Sequence, residues 1–338
     1  MQSYLLISRF FFFVFMTFSC GPGDGTAEKK PVQAEPQVRL ARLVKPSYPV
    51  EVTIGENAGF AVEVPDSIRV DSLQVFLGGT HRQTLEQGLD GSVSTGGELP
   101  GRASLRLRVF YGDGKSENIS QQIILLSDID PVEYTYRVVN EYPHNEDAYT
   151  QGLEYEEGWI YEGTGNKGSS TLRRVELETG KVARIHRLED EFFGEGITLF
   201  GSRIYQLTYR SQVGFIYDKE TFEELQKVYY QNREGWGLAN NGKELIMSDG
   251  THVIYFLDPD LFTINRQIEV YDNEGRADSL NELEYIEGKI WANRYYTDEI
   301  VIIDPATGKV EGRIDLKGIL KAVDRKPTTD VLNGIAWD

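Results

Sequence analysis

One carboxylate and a set of amides recur at a fixed place in this sequence. Gln151-Gly152-Leu153, Glu195-Gly196-Ile197, Trp236-Gly237-Leu238, Asn281-Glu282-Leu283 and Asn333-Gly334-Ile335 share a pattern. A polar or aromatic residue comes first, then a small residue or Glu, then an aliphatic residue that opens an apolar run. Three amides and an indole beside a single acid, Glu195, suit proton transfer on a small polar amide substrate. The acid moves the proton, amide N–H groups steady a developing oxyanion, and aromatic faces shape the pocket. A carboxyl walled by aromatics is desolvated, which raises its pKa toward a range useful for taking and giving a proton. From the repeats alone two roles stay open for Glu195: this proton transfer, or a structural one in which it caps a turn or pairs with an arginine such as Arg210. Gln151 and Asn281 are likewise either substrate ligands or hydrogen-bond fillers of a channel mouth.

The elements that must bring these residues together follow from their spacing. The aliphatic residues fall at 153, 197, 238, 283 and 335, in steps of 44, 41, 45 and 52. A period in the forties with several short strands per unit marks β-propeller blades. Each unit has an inner strand after the polar residue and an aromatic-rich second strand, as in Trp159-Ile160-Tyr161, Arg203-Ile204-Tyr205 and Ile290-Trp291-Ala292. Turns such as Asp218-Lys219-Glu220-Thr221, Asp258-Pro259-Asp260 and Asp304-Pro305-Ala306 join the outer strands. Inner strands start where second strands end, so the five opening residues and Thr164, Tyr209, Asp249 and Tyr295 are expected around one channel mouth. The fifth unit starts at Asn333 and the sequence stops at Asp338. The expected fold is therefore all-β: a five-bladed β-propeller with its fifth blade incomplete at the C-terminus, preceded by a small β-sandwich. Tyr134 to Asn140 alternates as a lone strand that could pair into the last blade.

Composition bounds the partners. With 338 residues, 40% hydrophobic and 12% aromatic content, the chain is long enough for two globular domains. A net charge of −18 without a basic stripe argues against nucleic acid and anionic lipid, and fits solubility in an extracellular medium. A monomer is expected. Phe10 to Phe18 behind Arg9 reads as the apolar core of a signal segment over residues 1–20, too short to span a bilayer as a mature helix. Cys20 is the only cysteine, so no intrachain disulfide can form. It follows Thr17-Phe18-Ser19 and precedes Gly21-Pro22-Gly23, which resembles a bacterial lipoprotein signal with Cys20 lipidated; a plain cleaved signal is the alternative. Both place the protein in the bacterial cell envelope, lipid-anchored or periplasmic and secreted. Residues 21–37 read as a tether, 38–127 as an immunoglobulin-like sandwich of short alternating strands, and 132–338 as the propeller. The four histidines lack ligand spacing, so neither a catalytic zinc nor a cofactor is expected. Asp-rich turns are read as hairpin turns rather than calcium sites.

Six motifs carry a resemblance. Tyr142-Pro143-His144-Asn145, Tyr149-Thr150-Gln151-Gly152-Leu153, Phe193-Gly194-Glu195-Gly196-Ile197-Thr198, Glu234-Gly235-Trp236-Gly237-Leu238, Leu280-Asn281-Glu282-Leu283-Glu284-Tyr285 and Ile290-Trp291-Ala292-Asn293 occur in one order. From about Tyr134 onward the sequence resembles the plant and bacterial type of glutaminyl-peptide cyclotransferase, a five-bladed propeller. The resemblance implies conversion of N-terminal glutamine to pyroglutamate with loss of ammonia, by a metal-independent aminoacyltransferase. It carries Glu195 over as the general acid/base, and Tyr149, Gln151, Phe193, Trp236 and Asn281 as pocket residues. Tyr209 and Tyr295 stand where the family usually has tryptophan, and Asn333 opens the fifth repeat at the same mouth. The family has a Gly-Lys and a Trp-Pro after Asn-Gly-Ile-Ala, its lysine belonging to the active site. The sequence as written ends before that stretch, so either it is truncated there or the site lacks that lysine and is inactive.

Two other readings stand beside this one. A non-catalytic propeller lipoprotein could bind peptide or glycan at the same mouth, and an ion-paired Glu195 would favour it. A propeller hydrolase or lyase acting on another small molecule is disfavoured by the lack of a histidine or metal cluster on the ring.

Overall fold

The computed structural model describes residues 39–46, 50–327 and 329–338. The signal segment, Cys20 and the tether lie outside them. Alternation of apolar and polar residues sets the first part of the fold. In Gly101–Tyr111 the side chains of Leu105, Leu107, Val109 and Tyr111 face inward while Arg102 and Arg108 face water, as a strand with one wet face requires. Eight such strands form two sheets. They are β1 (Arg42–Lys45), β2 (Glu51–Thr53), β3 (Asn57–Glu63), β4 (Val70–Leu77), β5 (Thr80–Leu85), β6 (Asp90–Ser94), β7 (Gly101–Tyr111) and β8 (Ser116–Leu126). One sheet runs β1-β3-β6 and the other β2-β8-β7-β4-β5, with β2 and β8 parallel. Phe60, Leu73, Leu77 and Ile123 fill the shared core.

The remainder is built from four-stranded antiparallel blades. After β9 (Val132–Tyr134), blade 1 comprises β10 (Thr150–Glu156), β11 (Trp159–Thr164), β12 (Thr171–Glu176) and β13 (Val182–Arg187). Blade 2 comprises β14 (Gly194–Phe200), β15 (Arg203–Thr208), β16 (Val213–Asp218) and β17 (Glu224–Tyr229). Blade 3 comprises β18 (Leu238–Asn240), β19 (Leu245–Ser248), β20 (Val253–Leu257) and β21 (Ile264–Glu269). Blade 4 comprises β22 (Leu280–Ile286), β23 (Lys289–Arg294), β24 (Glu299–Ile303) and β25 (Val310–Asp315). Each seam between blades has its own core: Tyr161 and Leu172 against Ile204 and Phe215, then Leu207 and Ile216 against Leu245 and Met247, then Ile246 and Phe256 against Ile290 and Val301.

The small residue of the repeat has a clear cause here. A Cβ on Gly152 would lie 2.6 Å from the Ile197 nitrogen, and one on Gly196 2.5 Å from the Leu238 nitrogen and the Trp236 carbonyl oxygen. One on Gly237 would strike the Asn281 carbonyl. Each inner strand thus starts against the backbone of the next, and Gly196 N–H donates to the Trp236 carbonyl at 2.8 Å across the seam. In blade 4 the position is Glu282, whose fully buried carboxylate accepts from Leu153 N and Ile335 N at 3.1 and 2.8 Å. That contact seats residues 331–338, the fifth repeat, beside both blade 1 and blade 4, without an assigned strand.

The expected strand from Tyr134 to Asn140 is corrected. Only Val132–Tyr134 is a strand, and it pairs in parallel with β25 at the outer edge of blade 4. Residues 135–149 run without a strand, since Pro143 and the polar Asn140, Glu141, Asn145 and Glu146 interrupt the apolar alternation. The Asp turns use their carboxylates on their own backbone: Asp218, Asp258 and Asp304 each accept two N–H groups within three residues.

Candidate active site

Three of the opening residues sit on β-bulges. The registers of β10/β11, β14/β15 and β22/β23 slip between Thr150 and Gly152, Gly194 and Ile197, and Leu280 and Leu283. The extra residue in each case includes Gln151, Glu195 or Asn281. A bulge re-aims a side chain out of the alternating pattern, and all three side chains line one cavity of about 610 Å³. They are buried, at 8%, 5% and 3% exposure.

Aromatic side chains wall this cavity in a continuous series. Tyr149 meets Phe193 edge-on at 6.2 Å between centroids, and Phe193 meets Tyr209 at 5.8 Å. Tyr209 meets Trp236 at 6.3 Å, Trp236 meets Tyr295 at 5.2 Å, and Tyr295 meets Tyr296 at 4.1 Å. The Tyr149–Phe193, Tyr209–Trp236 and Trp236–Tyr295 contacts are edge-to-face, a favourable geometry for aromatic pairs, and the other two are tilted. Two glycines make room: a Cβ on Gly250 would lie 2.5 Å from the Trp236 ring, and one on Gly165 would overlap Phe193. Glu234 orients the indole by accepting from Trp236 Nε1 at 3.0 Å.

Asn333 completes the ring. Its Nδ2 donates to the Thr150 carbonyl at 3.2 Å and to Gln151 Oε1 at 3.3 Å. That leaves the Gln151 Nε2 donors unengaged among the described residues. Asn281 Oδ1 is buried without a hydrogen-bond partner, an arrangement that costs free energy until a donor arrives. All nine residues expected at the site, Tyr149, Gln151, Phe193, Glu195, Tyr209, Trp236, Asn281, Tyr295 and Asn333, therefore line the same cavity.

Two expected rim residues do not. Thr164 is buried in its blade, its hydroxyl 2.6 Å from that of Thr171. Asp249 turns outward to Asn232, Thr251 and Tyr255. The pairing of Glu195 with Arg210 is also corrected. Arg210 binds Glu234 at 2.8 Å and stacks over the Tyr209 ring, so among the described residues no cation reaches Glu195. Burial, with a smaller push from the Glu234 charge, holds the Glu195 carboxyl well above the ordinary carboxylate range. Tyr149 is pushed up to about 12 by burial and by its hydrogen bond to Asp330, at 2.8 Å, so it stays neutral.

Other residues at the cavity escaped the repeat pattern. His144 lines it and bonds at 2.9 Å to Glu162, which is 1% exposed and also takes the Thr150 hydroxyl at 2.7 Å. The pair thus anchors the entry to Gln151. The Tyr142-Pro143-His144-Asn145 motif flagged this segment without giving His144 a task. Asp147, Tyr296 and Asp330 lie on loops at the mouth, where no periodicity exists to mark them. Among the described residues no three His, Cys, Asp or Glu side chains gather as a metal site.

Comparison with known proteins shows the family. The glutamine cyclotransferase family model matches residues 115–338. A glutaminyl-peptide cyclotransferase of Arabidopsis thaliana is 41% identical over 206 residues, which cover 60% of this chain and 64% of that protein. The match thus spans just under two thirds of that relative's length. The crystal structure of Myxococcus xanthus glutaminyl cyclase superposes with a TM-score of 0.58 at 34% identity, covering 62% of this chain and 89% of that one. The family model alone takes in well over half of the residues, including every one lining the cavity, and the chain belongs to the glutamine cyclotransferase family.

Proposed function

We propose that this chain is a glutaminyl-peptide cyclotransferase that converts N-terminal glutamine of peptides or proteins to pyroglutamate and ammonia. The observation that carries the reading is Glu195: a buried carboxyl without a cation, at the base of an aromatic-walled cavity lined by free amide groups. The substrate α-amine attacks its own side-chain carboxamide carbon, a C–N bond forms, and the bond to the carboxamide nitrogen breaks. The amine nitrogen loses one proton and ammonia gains one. Glu195 takes the first and delivers the second, a contribution on the order of 10²–10⁴ in rate. The aromatic walls fold the side chain back on the amine, and such orientation is worth up to about 7–11 kcal/mol in favourable systems. Gln151 donors support the oxyanion, and Asn281 Oδ1 accepts a substrate N–H. The unpaired state of Glu195 favours this enzyme over a non-catalytic peptide or glycan binder.

The test is ammonia release from a Gln-Ala amide. Glu195→Gln is expected to lower kcat by about 10²–10⁴ while the fold, read by circular dichroism, is kept. Near-normal turnover by the folded variant would remove Glu195 from the mechanism.

The reading extends to the rest of the chain. The sheet orders β1-β3-β6 and β2-β8-β7-β4-β5, with parallel β2 and β8, support an immunoglobulin-like sandwich serving as a spacer or adhesion module. Cys20, its preceding apolar run and the polar tether support a lipoprotein of the bacterial cell envelope acting as a monomer. Metabolic labelling of Cys20 with a palmitate analogue, lost in Cys20→Ser, tests the anchor.

A further inference from the structure

The aromatic wall is held from behind. Trp236 opens the third repeat, where the other four have an amide or an acid. Its backbone is fixed on both sides: Gly235 N donates to the Tyr209 carbonyl at 2.9 Å, and Trp236 N to the Ser248 carbonyl at 3.1 Å. The strand itself begins only at Leu238, so no ladder sets the tilt of the indole ring. Two groups outside the cavity lining do so. Glu234 accepts the indole N–H through one oxygen at 3.0 Å, and its other oxygen takes the Arg210 guanidinium at 2.8 Å. Arg210 in turn lies over the Tyr209 ring, its central carbon 4.5 Å from the centroid. Neither Glu234 nor Arg210 lines the cavity.

One carboxylate therefore acts on two neighbouring rings. Tyr209 and Trp236 meet edge-on at 6.3 Å, so a turn of one ring presses on the other. The two arms differ in strength. The Glu234 side chain is 18% exposed and that of Arg210 60%. An ion pair to so exposed an arginine contributes little by itself, whereas the shielded N–H bond to a charged carboxylate is of the stronger kind. The indole arm is the main one. After burial, the Glu234 charge is also the next cause of the raised Glu195 carboxyl, which sets this outer group close to the reacting one.

We propose that Glu234 is a positioning residue for cyclisation, setting Trp236 through its indole N–H and Tyr209 through Arg210 without touching the substrate. The inference rests on the cyclotransferase reading and adds the group that keeps the wall in the shape a folded-back glutamine needs. A misplacement of about 1 Å in such a site can cost about 10² in rate, so a small movement of the rings is enough. The loss falls on kcat more than on KM, because a loosened wall still admits the glutamine but folds it onto its amine less often.

The test uses the full chain and ammonia release from a Gln-Ala amide. Glu234→Gln is expected to lower kcat by about 10–10² with KM nearly unchanged. Arg210→Gln, a change at an exposed side chain, should lower kcat only about two- to fivefold. In a Trp236→Phe background, which lacks the indole N–H, only the Arg210 arm remains, so Glu234→Gln should cost no more than about fivefold there. Each cost is a ratio within one background, so the loss caused by Trp236→Phe itself does not enter. A parent-like kcat in Glu234→Gln that circular dichroism shows to be folded, or the same cost in both backgrounds, overturns the inference and leaves the cyclotransferase reading standing. Should Glu234→Gln not fold, Glu234→Asp, which draws the carboxylate back from the indole, carries the same comparison. If the parent chain releases no ammonia, the cyclotransferase reading fails instead. The clamp is then decided by the Trp236 indole N–H signal in NMR, identified by its loss in Trp236→Phe: faster hydrogen exchange of that proton in Glu234→Gln supports it, and an unchanged rate overturns it.

Discussion

Gly196→Ala tests the packing that assembles the site. The new Cβ would lie 2.5 Å from the Leu238 nitrogen and 2.5 Å from the Trp236 carbonyl oxygen, both backbone atoms of the next blade. Neither can swing away as a side chain could. Overpacking of this kind costs about 1–3 kcal/mol. Separating the blades also weakens the 2.8 Å hydrogen bond from Gly196 N to Trp236 O, worth about 1 kcal/mol. The loss of unfolded-chain freedom on going from glycine to alanine returns about 0.4–1 kcal/mol, which is too little to offset the clash. The net expectation is a destabilisation of about 1–3 kcal/mol, or about 2–12 °C in Tm for a domain of this size. Because Glu195 and Trp236 flank the contact, kcat/KM should fall as well. Thermal and urea unfolding followed by circular dichroism measure the first effect, and ammonia release the second. Gly275→Ala is the control, since a Cβ there meets nothing within 4 Å and its φ is not positive; it should shift stability by no more than about 0.5 kcal/mol. If Gly196→Ala melts with the parent and with Gly275→Ala, the close approach of the inner strands is not what positions Glu195.

Two further predictions concern pH. His144 has its pKa raised above 6.5 by its hydrogen bond to Glu162, so the stability that the pair contributes is complete below 6.5 and is lost as pH rises through the raised value. His144→Gln should remove that step from a plot of Tm against pH, and an unchanged profile would show that the pair does not hold the loop. Glu284 acts in the same direction through another cause: burial lifts its carboxyl from 4.5 to about 9, so its ionisation costs stability increasingly between those values. Glu284→Gln should therefore stabilise the protein more at pH 9 than at pH 5, by several degrees in Tm; a constant or reversed difference would contradict the burial argument.

The ring of blades was legible because its cause is repeated. Four spacings and three glycines encode one contact, the start of an inner strand against the backbone of the next, and the side chain preceding that contact is forced toward the channel. Gln151, Glu195, Trp236, Asn281 and Asn333 could be found by that rule alone. Tyr209 and Tyr295 followed from where second strands end. The same rule misplaced Thr164 and Asp249, because the ends of those strands differ by local hydrogen bonding: Thr164 turns in to Thr171, and Asp249 turns out to Asn232 and Tyr255. Loop residues were not legible. Asp147, Tyr296 and Asp330 line one cavity from three separate loops, and no period relates them. The β-bulges were also hidden, since a one-residue slip leaves no trace in composition.

Raised carboxyl pKa values alone do not identify the catalytic group, because the channel holds four acids of this kind. Burial lifts Glu154 to about 7 and Glu284 to about 9, and holds Glu195 and Glu282 well above their ordinary value. Partners separate them. Glu282 spends both oxygens on Leu153 N and Ile335 N, tying the fifth repeat to blade 1. Glu154 accepts Leu199 N at 2.5 Å and so ties blade 1 to blade 2. Glu284 lies two residues along β22 from Glu282 and does not line the cavity. Glu195 alone of the four lines the cavity, and no described donor or cation satisfies its carboxyl. A buried acid without a partner is unfavourable in the empty protein. On the proposed cyclotransferase reading, that cost is relieved when the substrate amine supplies the missing donor. Glu282 and Glu154 are satisfied by backbone donors, and of the two acids without a described donor, Glu195 and Glu284, only Glu195 lines the cavity.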